Sequence, residues 1–267
     1  MTAHLVNISG GMASAVSLIR VLERFGPQNV HACFADVEQE HPDCYRFIND
    51  VQRVSGVSIT RLSQGMDCWD VWMDRLMLTM PGNRSCLASY HLKKVPLRKH
   101  AEENFTPDET TIYVGYGKDE PDRAERLTES GKPWQFDFPL WWKPALGRCD
   151  LADILREKGI EPPSMYAEGY PHANCKGACI LAGVAQWAGL YRDDPQTYRH
   201  NEEKEQVFLA KLRAAGRKEI TILRDRRGGT TKNLSLKQLR EEIESGERWP
   251  NDDWRSASCS CMGNLFT

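Results

Sequence analysis

No stretch of the 267-residue chain approaches the roughly 20 consecutive apolar residues that a membrane-spanning helix needs, so no membrane partner is expected. The N-terminal segment lacks a basic region, a short apolar core and a cleavage site in succession. That argues against a secretion signal and for a cytoplasmic protein. Strong charge of one sign is also missing: 35 Lys and Arg stand against 37 Asp and Glu, a formal net charge of −2. Any affinity for a polyanion must therefore be local. Internal repeats and low-complexity tracts are absent, which leaves no sign of a solenoid.

What is present suits an ordinary globular protein, with 40% hydrophobic and 27% charged residues. The length fits one large domain or one domain with a substantial appendage. Nine cysteines without an export signal do not suggest a disulfide framework. In a reducing compartment, clustered thiols point instead to metal or cluster ligation, or to redox chemistry. Cys33, Cys44, Cys68 and Cys149 are isolated in sequence and read as core or surface residues rather than ligands. Charge concentrates in one run: from Lys211 to Lys232 eight Lys or Arg face only Glu219 and Asp225. Such a run is either a solvated surface or a patch for nucleic acid.

Hydrophobic periodicity alternates between short apolar strands and amphipathic helices. Residues 4–8 read as a strand, with a helix through Arg24. Val30–Ala35 reads as a second strand, 42–54 as a helix and 57–62 as a strand. Helices are expected over 66–80 and 93–103, a strand over 110–116, and helices over 150–158 and 180–190. This pattern predicts an α/β fold, a doubly wound and mostly parallel sheet covered on both faces. From about Asp193 charge rises, and a helix over 202–215, a strand over 219–223 and a capped helix over 235–244 are expected. The expected division is a nucleotide-binding domain over 1–192. A smaller mixed region follows over 193–267 and ends in the Cys-x-Cys tail, Cys259 and Cys261.

The first strand runs into Ser9-Gly10-Gly11-Met12-Ala13-Ser14 and then a helix. Glycines let the backbone approach an anion closely. The unpaired amides of the helix start and the helix dipole then favour phosphate. Ser9 and Ser14 add hydroxyl donors. A tight strand-to-helix turn would use the same residues. No Gly-Lys-Ser/Thr follows, so this is not a Walker loop, and the Gly-x-Gly-x-x-Gly of dinucleotide sites is absent.

The loop resembles the pyrophosphate loop, Ser-Gly-Gly-x-Asp-Ser, of the adenine-nucleotide alpha-hydrolase (PP-loop) superfamily, with Ala13 at the Asp position. Later segments resemble the phosphoadenylyl-sulfate reductase family in order. Ala35-Asp36 with Glu40-His41-Pro42-Asp43 is similar to its Asp-Thr-Gly segment, and Cys86 with Lys93, Lys94, Pro96 and Leu97 to its Cys…Lys-Val-x-Pro-Leu stretch. Gly115-Tyr116-Gly117 with Asp119, Glu120, Arg123 and Arg126 resembles its Gly-x-Arg…Arg segment. Pro139-Leu140-Trp141-Trp142, Tyr166, Gly169-Tyr170 and Cys175 follow its last run, so that the likeness covers roughly residues 5–183.

The resemblance implies an adenine nucleotide (ATP, adenylyl sulfate or phosphoadenylyl sulfate) held by the 9–14 loop, Asp36, Lys93, Gly115, Arg123 and Arg126. Magnesium would accompany a triphosphate. Family members with a four-iron four-sulfur cluster use a Cys-Cys pair near Cys86 and a Cys-x-x-Cys pair near Cys175. This chain has one cysteine at the first place and Cys175-x-x-x-Cys179 at the second. Cys86, Cys175, Cys179 and a tail thiol, Cys261, are the ligand set considered, for a cluster or for zinc. In cluster-free members a C-terminal thiol attacks the sulfur of the nucleotide. On that pattern Cys259 and Cys261 are the catalytic pair, served by a thioredoxin-like thiol reductant. Three readings follow: a sulfonucleotide reductase-like enzyme, an ATP-dependent sulfurtransferase acting on nucleic acid or a small molecule, and a non-catalytic nucleotide- or metal-binding accessory protein.

Overall fold

The computed structural model describes residues 2–82 and 85–248. Its first half is the expected alternation. Strand β1 (Ala3–Ile8) leads to helix α1 (Met12–Phe25), β2 (Val30–Asp36) to α2 (Pro42–Ser55), and β3 (Ile59–Ser63) to α3 (Cys68–Arg75). A short turn of helix α4 (Leu87–Ser89) precedes α5 (Val95–Asn104). Then come β4 (Thr110–Tyr113), α6 (Pro121–Ser130), β5 (Gln135–Asp137), α7 (Arg148–Glu157) and α8 (Ser164–Ala167). The chain continues through α9 (Val184–Asp193), α10 (Pro195–Ala214), the hairpin β6 (Leu223–Asp225) and β7 (Lys232–Leu234), and α11 (Leu236–Glu244).

The first five strands form one parallel sheet in the order β3-β2-β1-β4-β5. Alternation along each strand explains why both faces are covered. Val6, Ile8, Ala32 and Phe34 face the core shared with α1, α2 and α7. Leu5, Cys33 and Ala35 face the core of α5 and α6. The sheet is therefore doubly wound, as expected. Its order reverses between β1 and β4, and the crevice beyond the carboxyl ends of those two strands is where such sheets take ligands.

A third core gathers α3, α4, α9, α10, the hairpin and α11. Trp187 and Tyr198, on either side of the expected boundary at 192/193, share it, with ring centroids 6.0 Å apart. Glu205 on α10 is fully buried and fastens the hairpin. Its two carboxylate oxygens accept from the Ile222 amide at 2.9 Å and the Leu236 amide at 2.6 Å. Burial nevertheless pushes its carboxyl up to about 7.

Several elements differ from expectation for identifiable reasons. The helix expected over 66–80 is shorter. An Asp67–Asp70 capping box starts it at Cys68, and Leu76 ends it in a left-handed conformation at φ 51°. Thr79 then bridges to Cys86. The long C-terminal helix begins at Pro195 because Asp194 caps it, accepting from the Thr197 amide at 3.0 Å. The strand expected over 219–223 lies at Leu223–Asp225, where it pairs antiparallel with β7. The first strand of the sheet to escape sequence reading is β5, three residues long. No helix among the described residues is long and apolar enough to cross a membrane.

Candidate functional site

The crevice at the β1/β4 reversal holds a cavity of about 460 Å³. Ser9, Gly11, Met12, Ala13 and Ser14 line one side of it. The loop is held by its own serines: the Ser9 amide donates to Ser14 Oγ at 3.0 Å, and Ser14 Oγ donates to the Gly11 carbonyl at 2.9 Å. Gly10 turns the chain at φ 77°, where a Cβ would lie 2.2 Å from Cys44 Sγ, and it is not among the residues that line the cavity. Gly11 caps α1 without any side-chain hydrogen bond. Met12, Ala13 and Ser14, the first turn of α1, line the cavity, and the start of a helix is the place that suits an anion.

Gly115 closes the second side. It packs so tightly on the loop that a Cβ would meet the Ala13 and Ser14 backbone at 2.7–2.8 Å. Asn7, at the end of β1, is buried and lines the cavity. Its carbonyl oxygen accepts from Cys33 Sγ at 3.2 Å, while Nδ2 has no partner. Arg123, on α6, pairs with Glu120 and lies 4.5 Å from the centre of the Tyr116 ring. Its Nε and Nη2 are buried without a hydrogen-bond acceptor, and the residue lines the cavity. Two orphaned guanidinium donors are a costly arrangement in an empty protein and an apt one around a bound anion. Arg126 lines the same cavity from an exposed position.

Asp36 is placed differently. It is buried outside the cavity lining, where Oδ1 accepts from the Glu38 amide at 2.7 Å and Tyr45 Oη at 3.0 Å. Its Oδ2 lies 2.5 Å from Arg61 Nη2. The carboxylate expected to meet a ribose or a metal organises the turn after β2 and does not line this cavity. Sequence reading also missed a lining residue, Arg148, and took His172 for a loop hydrogen-bonder rather than a ligand. Arg148 reaches the cavity from the start of α7, its Nη2 donating to the Pro171 carbonyl at 2.9 Å. His172 lines it too, and its Nδ1 accepts from the Asn174 amide at 3.2 Å. The Gly147 start of α7 was the available signal for Arg148.

Lys93 and Asn174 line this cavity and also a second, smaller one of about 40 Å³. Lys93 Nζ sits 2.8 Å from Glu40 Oε1, and Glu40 Oε2 accepts from the Cys175 amide at 2.6 Å. The Cys175 loop is bent hard, with Cys175 and Lys176 at φ 54° and 48°, a conformation side chains adopt at a cost of about 1 kcal/mol or more each. Gln186 Nε2 donates to the Gly177 carbonyl at 2.8 Å and Trp187 Nε1 to the Cys179 carbonyl at 3.1 Å, which fixes the loop's far side.

The structure brings Cys86, Cys175 and Cys179 together as lining of the small cavity. It adds Cys68, which the sequence had set apart as an isolated core residue. Cys68 is a buried core residue as read, and its place on this wall comes from packing: α3 begins at Cys68 beside the Cys175 loop, a contact made in three dimensions and invisible in spacing. A hydrogen bond with Cys175 and then burial hold the Cys68 thiol well above its ordinary range, and burial pushes Cys86 up to about 12. These are not activated free nucleophiles. Among the described residues no three His, Cys, Asp or Glu side chains are placed to hold a single metal ion. Cys259 and Cys261, read as catalytic thiols and as the source of the fourth ligand, lie outside the described residues.

Three arginines of the basic 211–232 run have partners within the chain. Arg213 pairs with Glu219 at 2.9 Å, Arg217 donates to the Arg75 and Leu76 carbonyls, and Arg227 joins Asp225 and Glu242.

No protein-family model matches the chain. The chain is similar to a protein of Escherichia phage lambda described as "Uncharacterized nin region protein ORF290", at 27% identity over 172 residues. The match covers 52% of this chain and 59% of that one, so it spans less than two thirds of the relative's length. Among solved structures, it is similar to the phosphoadenylyl-sulfate (PAPS) reductase from Candida auris in its phosphate complex. That likeness has a TM-score of 0.47 and 14% identity, and covers 64% of this chain and 79% of that one.

Proposed function

We propose that this chain is an adenine-nucleotide-binding enzyme of sulfur chemistry, with the anionic end of the nucleotide held between the Ser9–Ser14 loop and Arg123. The observation that carries this reading is Arg123: two buried guanidinium donors without acceptors line the cavity that the helix-start amides also line. Arg126, Arg148 and Lys93 add positive charge to the same walls. The ordered likeness of residues 5–183 to the phosphoadenylyl-sulfate reductase family supplies the chemistry.

On that chemistry a thiolate attacks the sulfur of a sulfonucleotide. The sulfur–oxygen bond to phosphate breaks, and its electron pair leaves on the nucleotide's phosphate. A second thiol then displaces sulfite from the thiosulfonate, leaving a disulfide that an external dithiol reduces. Cys259 and Cys261 are the proposed pair. Ala13, at the position where the pyrophosphate loop has Asp, favours a substrate that is already an activated anhydride.

A second reading rests on Asp119 and Asp122, which line the cavity beside Arg123. Carboxylates there suit the magnesium of a nucleoside triphosphate. The enzyme would then adenylylate an acceptor, nucleic acid or a small molecule, before sulfur replaces oxygen.

Calorimetric titration with adenosine monophosphate, ATP, adenylyl sulfate and its 3′-phosphorylated form, against their guanine counterparts, tests the first part. Adenine nucleotides are expected to bind and guanine nucleotides not. Replacing Arg123 with Met should weaken binding roughly ten- to hundredfold, since about 1.5–3 kcal/mol goes with such charge-assisted bonds. Equal affinity for both bases would overturn the proposal. Pyrophosphate release from ATP would select the second reading, and sulfite release from a sulfonucleotide the first.

A further inference from the structure

The small cavity beside the nucleotide crevice has a wall chemistry that the nucleotide does not use. Four thiols converge on it: Cys68 from the first turn of α3, Cys86 from the cap of α4, and Cys175 and Cys179 from the bent loop before α9. Each is anchored separately. Asp67 and Asp70 form the capping box before Cys68, and Cys86 Sγ accepts the Ser89 amide at 3.4 Å. Cys175 is held through its amide by the buried carboxylate of Glu40, and Cys179 through its carbonyl by Trp187. Four thiols at one place, brought from three parts of the chain, are not what an apolar core selects.

Two further groups on the same wall point to a sulfur-rich anionic guest. Trp72 is 3% exposed and lines the cavity, and its indole Nε1–H has no hydrogen-bond partner. An indole N–H is a donor only, and burying it unsatisfied costs about 1–3 kcal/mol. Sulfur atoms of a metal cluster are acceptors for such donors, and those hydrogen bonds adjust the cluster's potential. Lys93 lines the cavity as well and supplies a positive charge beside the thiols.

We propose that Cys68 is the fourth ligand of an iron–sulfur cluster site whose other ligands are Cys86, Cys175 and Cys179, so that the site is complete without the C-terminal tail. The Cys-Cys pair that cluster-bearing relatives carry near Cys86 is replaced here by two thiols 18 positions apart in sequence that the fold brings to one wall. Soft thiolates serve zinc as well as iron–sulfur clusters. One zinc at about 2.3 Å from each thiolate needs sulfurs about 3.8 Å apart. Among the described residues no three side chains meet a single-ion geometry, and the unpartnered Trp72 N–H is the kind of donor that a cluster's sulfides accept, which favours the cluster over zinc. Assembly from two ferrous and two ferric ions with four sulfides releases the four thiol protons to solvent, and the ferric ions supply the cluster's oxidation level, so no thiol is oxidised. The inference does not depend on the nucleotide reading: it concerns a different cavity and is read by a different measurement.

The test is anaerobic reconstitution of the full chain with equal amounts of ferrous and ferric iron and with sulfide, followed by iron and acid-labile sulfide analysis and a visible absorption spectrum. Wild type and C149S, whose cysteine is exposed and outside the cavity, are expected to gain about four irons per chain and a brown colour. C68S should lose most of that iron, at least about fivefold, while its metal-free thermal unfolding stays close to wild type. Should C68S fail to fold, the double variant C259S/C261S still decides, and it is expected to reconstitute fully. The proposal is overturned by a folded C68S that keeps its cluster, by a C259S/C261S protein that loses it, or by a wild-type chain that stays colourless or takes up zinc instead. Adenine binding by the metal-free protein is scored separately, so failure of one proposal is not failure of the other.

Discussion

Gly115 rests directly against Ala13: a Cβ at position 115 would sit 2.7 Å from the Ala13 carbonyl carbon and 2.8 Å from the Ser14 amide nitrogen. The contact joins the loop after β4 to the first turn of α1, across the reversal in strand order. Neither partner of the clash is a flexible side chain, so the backbone itself must move.

Gly115→Ala is therefore expected to weaken adenine-nucleotide binding about tenfold or more and to lower stability by about 1–3 kcal/mol, the usual cost of overpacking. Calorimetric titration and urea unfolding check the two effects. A Gly183→Ala control, whose Cβ would meet nothing within 4 Å, should leave nucleotide binding unchanged.

Glu40 and Lys93 form a buried ion pair, with side-chain exposures of 0% and 11%. Removing one partner leaves the other's charge buried, and losses of about 3–5 kcal/mol are typical. Glu40→Ala should reach that range, because the Cys175 amide loses its acceptor at the same time. Lys93→Met together with Glu40→Gln should recover a large part of it. Urea unfolding of Lys93→Met, Glu40→Gln and the two combined at pH 7 measures the coupling, and additive losses would count against the pairing.

Glu205 gives a pH dependence of known sign. Its carboxyl moves from the ordinary 4.5 to about 7 on folding, mainly through burial. The folded chain therefore holds a proton that the unfolded chain releases. Its contribution is fully present below pH 4.5 and disappears as pH rises through 7, on the order of 3 kcal/mol in all. Unfolding free energy measured from pH 4.5 to 7.5 should fall with pH more steeply in wild type than in Glu205→Gln. Parallel profiles would refute the assignment.

The parallel sheet was legible because its strands are short apolar runs and its helices carry clear 3.6-residue stripes. Val6 and Leu5, facing opposite cores, show the same logic in the structure. The strand Gln135–Asp137 was not legible, since three half-exposed residues carry no period. The glycine loop was legible because its function is written in consecutive residues. Asp36 reads as a site residue from its place at a strand end, and spacing did not report that Tyr45 and Arg61, from elsewhere in the chain, stand beside its oxygens. Cys68 looked isolated for the converse reason. Spacing reports neighbours along the chain, and thiols 107 positions apart, Cys68 and Cys175, meet only once α3 is packed against the loop.

Lys93 and Asn174 belong to both cavities, which makes the partition between them a pair of side chains rather than a layer of core. An ammonium group in that partition cannot respond to negative charge on one side without altering its attraction for the other. Thermodynamic reciprocity then requires that whatever fills the thiol chamber and whatever fills the nucleotide chamber alter each other's dissociation constant by one common factor.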